Sequence, residues 1–362
     1  MKQFSDEMTN INYFVENDRK PDFNNLLKVL KREKPERPTL FEFFLNNDLY
    51  RNLTHKNEYK ESDVYSDLKR LIDAFSIAGY DYVTMLGSDF RFESNRQKKE
   101  GMASISLNEG SVISDRESFE KYSWPEPDQY DYTRLEKLSE YLPGNMKIIA
   151  YGPNGVLETV VELVGYENLC YIINDDPDLA QDIFDAVGSR FVRYYEICSG
   201  FDPVGALISN DDWGFNTQTF LSVNDMRKYV IPWHRKIAEK IHASGKPAIL
   251  HSCGMLEPVM DDIIDDIKYE AKHSYEDKIR PVEKAYEKYG SRIAILGGID
   301  VDFICRSTPE AVYNRAVSML EQTGSKGGYA LGSGNSIPYY VPQKNYLAMI
   351  AAAVFNQGHT FP

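Results

Sequence analysis

His251 and Cys253 stand at i and i+2 where the short apolar run Pro247–Leu250 ends, and Gly254 follows them. In an extended segment those two side chains leave the same side of the backbone. Imidazole and thiolate are both zinc-preferring donors, and a glycine beside them lets the chain turn sharply away. Two such donors, with a third arriving from elsewhere, would leave a position open on the metal for substrate. The same spacing also suits a buried histidine beside an inert thiol. The elements around the pair have to decide between these readings.

Those elements recur regularly. Strand-like apolar runs occur at Thr39–Phe43, Tyr82–Leu86, Met146–Tyr151, Val204–Ser209, Pro247–His251, Ile267–His273, Arg292–Gly297 and Gly328–Leu331, each followed by a helix-like segment. Asp176 before Pro177 reads as a helix N-cap, with Leu179, Ile183, Phe184 and Val187 on one face and Gly188 at the end. Ser307 and Glu310 around Pro309 read as a capping box ahead of the stripe Val312, Ala316, Val317 and Leu320. Ile237 and Ile241 pair across one turn before Gly245. Alternation of this kind over 362 residues predicts an α/β chain folded as a (β/α)8 TIM barrel rather than a doubly wound sheet.

Residues 1–36 are polar apart from an amphipathic patch at Phe23–Leu30, which predicts an N-terminal helical arm and leaves 37–362 as one domain. The stretch Phe90–Pro143 is too long for a plain connection. Its Arg91, Arg96, Lys98, Lys99 and Trp124-Pro125 suit an insertion over the barrel mouth.

In a barrel the C-terminal strand ends face the active site. Reading those ends yields three groups of candidates. Asp89, Asp211 and Asp212 are candidate catalytic carboxylates, although each also suits a helix cap. Glu42, Asn154, Asn210, Trp213 and Asp300 are candidate substrate contacts. His251, Cys253, Asn335 and His273 are candidate metal donors, and His273 reads equally well as a packed core histidine. Two of the six histidines and one of the four cysteines fall at such ends. Cys170 and Cys198 sit in helical patterns as small hydrophobes, and Cys305 reads as inert.

Composition narrows the function classes. Apolar content of 42% with 13% aromatic is that of a packed globular chain. A net charge of −14 disfavours nucleic acid or an anionic membrane as the main partner. No run approaches the roughly 18 apolar residues of a membrane span. The polar, acidic start Met1–Glu7 is unlike a signal peptide, and the scattered cysteines argue against a disulfide framework. The expectation is a reduced, cytoplasmic protein.

The runs Asn210-Asp211-Asp212-Trp213-Gly214, His251-Ser252-Cys253-Gly254, Gly297-Gly298-Ile299-Asp300 and Gly332-Ser333-Gly334-Asn335-Ser336, with the stretch Tyr340–Met349, resemble the uroporphyrinogen decarboxylase superfamily. Within it they look most like the zinc- and corrinoid-dependent methyltransferases. The resemblance spans residues 36–355 and is strongest from Gly200 onward. It implies a TIM barrel, a catalytic zinc and a corrinoid carried by a separate protein, since this chain has no Asp-x-His-x-x-Gly cobalamin pattern.

Two departures refine the expectation. The family's decarboxylases hold porphyrinogen carboxylates with an arginine-rich segment near the first strand. Here that region, Arg37–Phe44, offers Glu42, and Val161 stands near the position of the decarboxylase tyrosine. Thiol-methylating members use a second cysteine after the last strand. Gly334-Asn335-Ser336 occupies that place, which leaves Asn335, His273, Asp300 or Asp211 as the third donor.

A zinc with one thiolate is a stronger Lewis acid and a poorer store of nucleophilic sulfur. That turns the expectation toward demethylating a small compound, an aryl methyl ether or a quaternary amine, with rim Tyr and Phe rings stacking on it. The alternatives are a lyase acting on a carboxylated substrate and a non-catalytic corrinoid or tetrapyrrole binder. The oligomeric state, a homodimer among the options, is left open.

Overall fold

A computed structural model describes residues 3–60, 62–95 and 107–356. Seven strands form one parallel sheet in chain order: β1 (Tyr82–Leu86), β2 (Lys147–Tyr151), β3 (Val204–Asn210), β4 (Ala248–His251), β5 (Ala271–His273), β6 (Ala294–Leu296) and β7 (Tyr329–Ala330). Parallel neighbours need crossovers, and helices supply them. Every residue of β4, β5 and β6 is buried, as strands covered on both faces must be.

Seven of the expected apolar runs overlap these strands: β1 matches its run, β3 extends one residue past its run to Asn210, and the other five are shorter than theirs. The exception is Thr39–Phe43, which makes a single parallel bridge, Leu40 to Leu331. Its backbone pairs with the β7 side through Phe41 N–H to Leu331 and Leu331 N–H to Thr39. Toward β1 the partners are side chains instead. The Tyr82 hydroxyl meets Glu42 N at 2.7 Å, and Thr84 Oγ1 donates to Phe43 O. No ladder can form on that side, yet the segment joins both edges of the sheet. The result is a curled, barrel-like α/β fold.

The helices that matter below are α1 (Asn24–Leu30), α2 (Val156–Val164), α3 (Pro177–Ser199), α4 (Ile231–Ala243), α5 (Val301–Arg306) and α6 (Pro309–Thr323). Asp176 caps α3 by accepting from Leu179 N. The helix runs on through Gly188 instead of ending there, because the Trp233 indole fills the space a side chain would take. The cap of α6 is Thr308, not Ser307, since its hydroxyl reaches Ala311 N.

The patch Phe23–Leu30 supplies α1, whose Leu26, Val29 and Leu30 lie in the main core. Arg19 is buried too, donating to Ala353 O and Pro38 O. Phe14 and Phe23, also ahead of residue 37, share that core. The described part of the long segment after β1 lies against α3, with Arg190 donating to Pro125 O and Arg193 paired with Asp128. Arg96, Lys98 and Lys99 lie outside the described residues. Among the described residues no helix is long and apolar enough to cross a membrane.

Candidate metal centre

Three adjacent strand ends converge. Asn210 of β3 is in register with His251 of β4, and His251 with His273 of β5. Just past these ends, one ligand atom each of Asp212, His251 and Cys253 fall within 4.8 Å of one another. The loop after β4 is shaped by Gly254, at φ +95°, whose absent Cβ would meet the Gly214 carbonyl at 2.1 Å. Cys253 N–H donates to Asp212 Oδ1 at 2.8 Å and ties the two loops together.

Asp211 and Asp212, adjacent in sequence, take opposite tasks. Asp211 is fully buried and accepts from Leu157 N, Glu158 N, Trp213 Nε1 and His234 Nε2, all within 3.0 Å. It caps α2 from the loop after β3, because the N-cap position is Gly155 and has no side chain to do so. His234 of α4 is held at its other nitrogen by the Tyr269 hydroxyl at 2.8 Å. With four donors on its carboxylate, three on Oδ2 and one on Oδ1, Asp211 fixes the loop and Asp212 is left at the cluster.

The remaining candidates sort by position. His273 spends both ring nitrogens, Nδ1 on His251 Nδ1 at 2.7 Å and Nε2 on Ser333 O at 3.3 Å. Asn335 Nδ2 donates to Cys253 Sγ at 3.4 Å, and Ser274 Oγ does so at 3.3 Å. Both expected donors thus surround the ligand atoms rather than joining them, His273 behind His251 and Asn335 on the sulfur. Asp300 caps α5 through Phe303 N and accepts Asp277 N with its other oxygen.

Glu42 lies fully buried under Ser333, accepting its N–H and hydroxyl at 2.6 and 2.7 Å. Trp213 is buried as well. Asn210 accepts Gly152 N, and Asn154 donates to Glu162. Asp89 stands apart, exposed and paired with Arg134.

Burial dominates the protonation of these groups. Burial lowers the His251 pKa to about 4, so its ring is neutral and offers a lone pair at neutral pH. Burial, then the nearby Asp212, push the Cys253 thiol up, while the Ser274 hydroxyl opposes them. Lys272, also buried, donates to Ser252 O and Ser274 O, and burial brings its ammonium down to about 8. A cleft of about 410 Å³ opens beside Asn335, lined by Tyr275, Glu276, Asp300, Ser336 and Tyr340 among others.

Sequence reasoning missed His234, Ser274 and Glu276. His234 was findable, since it lies three residues before Ile237 on the buried face of α4. Ser274 was not. Its φ of +84°, unusual for a non-glycine, is what turns the hydroxyl toward the sulfur.

Fold and site together define a barrel-like α/β protein with a candidate open metal centre at its strand C-termini. The chain belongs to the uroporphyrinogen decarboxylase (URO-D) family, whose model matches residues 104–354. Among solved structures it is similar to a methyltransferase from Methanosarcina mazei, at TM-score 0.68 and 17% identity over 91% of this chain and 97% of that one. A protein provisionally described as a vitamin-B12-independent methionine synthase, from Listeria monocytogenes, follows at TM-score 0.48 and 12% identity over 88% and 98%. Identities this low speak to fold alone. A search of curated proteins found no match.

Proposed function

We propose that this protein is a zinc-dependent methyltransferase, moving a methyl group between a small methylated compound, such as an aryl methyl ether, and a corrinoid held by a partner protein. The observation that carries the reading is the approach of Asp212, His251 and Cys253 to within 4.8 Å of one another. One carboxylate, one neutral imidazole and one thiol match the donor preferences of zinc, and three protein ligands leave the fourth position to substrate. When bound, the metal supplies a Lewis acid that draws electron density from the oxygen a methyl group leaves.

The residues do the rest. Ser274 and Asn335 donate to the Cys253 sulfur, which drains charge from it and keeps a bound cation electrophilic. Lys272 offsets the negative charge of the donor set from behind. Tyr340, at the edge of the cleft, is 60% exposed, packs edge-on against Tyr339 and offers a ring to an aromatic substrate. The M. mazei neighbour's methyltransferase name adds support at the level of fold. In this reading residues 39–43 take the place of the eighth strand, and 1–36 act as an arm that seals the barrel of 37–362.

Decarboxylation of a polycarboxylate suits the chain poorly. Among the described residues the charged groups lining the cleft are Glu276, Asp300, Asp302 and Lys278, and the adjoining cavity adds one arginine, Arg280, which is paired with Glu257. The test is methylcobalamin formation from reduced cobalamin and a panel of aryl methyl ethers and quaternary amines, with zinc supplied. Turnover that His251→Ala abolishes is the expected result. Turnover unaffected by that change, or none with any donor while a carboxylated substrate releases carbon dioxide, would overturn the proposal.

A further inference from the structure

We infer that His273 is the positioning residue of the centre: it holds the proton of His251 on Nδ1 and thereby leaves Nε2 as the donor. The inference rests on the metal reading above but stands on its own hydrogen-bond chain. The Nδ1 atoms of the two rings are 2.7 Å apart, so one proton lies between them. Which ring owns it is decided at the far end. His273 Nε2 is 3.3 Å from the Ser333 carbonyl oxygen, which can only accept, so Nε2 carries hydrogen. A neutral imidazole protonated at Nε2 has its lone pair on Nδ1. His251 must therefore donate from Nδ1, and its Nε2 is bare.

The chain is held at each link. Ser333 is anchored by Glu42, which accepts both its N–H and its hydroxyl. Its carbonyl also receives Gly298 N–H at 2.8 Å. Phe41 packs on the His273 ring with centroids 4.9 Å apart, and Phe43 on His251 at 4.6 Å, so each ring is held against an aromatic neighbour. His273 is completely buried, which disfavours the imidazolium that would reverse the chain. A ligating histidine whose second nitrogen is fixed by an outer partner is a general device of metal sites. Here the partner is a second imidazole acting as acceptor.

Two measurements test this on the full chain. Two-bond proton–nitrogen correlation spectra of metal-free protein with labelled histidines should show His251 protonated at Nδ1 and His273 at Nε2. A proton on His251 Nε2 would overturn the inference, and this readout needs no variant to fold. Zinc affinity by chelator competition is the second. His273→Phe keeps the packing on Phe41 but not the acceptor, and should bind zinc roughly 10–100-fold more weakly. His273→Gln, whose amide can accept from His251 and donate to Ser333, should recover most of that loss. Undiminished affinity in His273→Phe would overturn the inference. Wild-type protein that binds no zinc would sink the metal reading instead, and the spectra would still decide the tautomers.

Discussion

A carboxyl group with no exposure to solvent resists ionisation, and Glu42 is such a group. Burial lifts its pKa to about 8, while the two donations from Ser333 pull the other way. Its folded value lies above the ordinary 4.5, so the native state holds a proton that the unfolded chain releases. The stability this confers is complete below about pH 4.5 and is lost as pH rises through 8. Glu42→Gln, neutral at every pH, should therefore gain on the wild type across that window by at most about 1.4 kcal/mol per pH unit. Urea midpoints at pH 5 and pH 8 would show it. Parallel wild-type and variant curves would mean that Glu42 ionises inside the fold.

At this scale the sequence told residue type better than residue task. The i, i+2 spacing of His251 and Cys253 was readable because strand geometry alone sets it. Asp211 and Asp212 could not be told apart, since the choice depends on α2, on Trp213 and on His234, which lies 23 positions downstream of Asp211. Glu42 looked like a rim acid in the sequence. Its place beneath Ser333 follows from the irregular path of residues 39–43, which no periodicity announces.

At the scale of elements, the site depends on the loop after β3 lending a cap to α2. Gly155 makes that possible, because a Cβ there would sit 2.1 Å from Asp211 Cβ and 2.2 Å from its carboxylate. Gly155→Ala must either push Asp211 off the helix N-terminus or shift α2. A destabilisation of about 2–4 kcal/mol is expected, combining overpacking with a lost cap. Weakened zinc binding should accompany it, since Asp212 follows Asp211 on the same loop. Thermal melts with zinc titration would check both. A variant as stable as the wild type would show that α2 is not capped from the loop after β3.

Seven strands were legible as apolar runs with glycine or polar ends, for buried parallel strands are apolar on both faces. The first run misled because its β1-side partners are Tyr82 and Thr84 side chains rather than a ladder. Helix ends were misjudged where a partner from afar decided them, as Trp233 does at Gly188.

The whole molecule carries a net charge of −14 and a centre at one end of a curled parallel sheet. The charge is permissive of docking to a basic partner, with association that falls as salt rises. The segment before residue 37 buries Phe14, Phe23 and Leu26 in the same core as the strands. Fold class was legible at this scale because alternation and length both bear on it. How residues 1–36 join the barrel was not, since their polar composition hides the few apolar contacts that matter.

The central claim is that Asp212, His251 and Cys253 together hold a zinc ion. The most direct test is X-ray absorption at the zinc edge of protein loaded with one equivalent. The account predicts a single sulfur scatterer at about 2.3 Å, with nitrogen and oxygen at about 2.0–2.2 Å, and loss of the sulfur in Cys253→Ser. Protein that retains no zinc, or a shell without sulfur in the wild type, would contradict it.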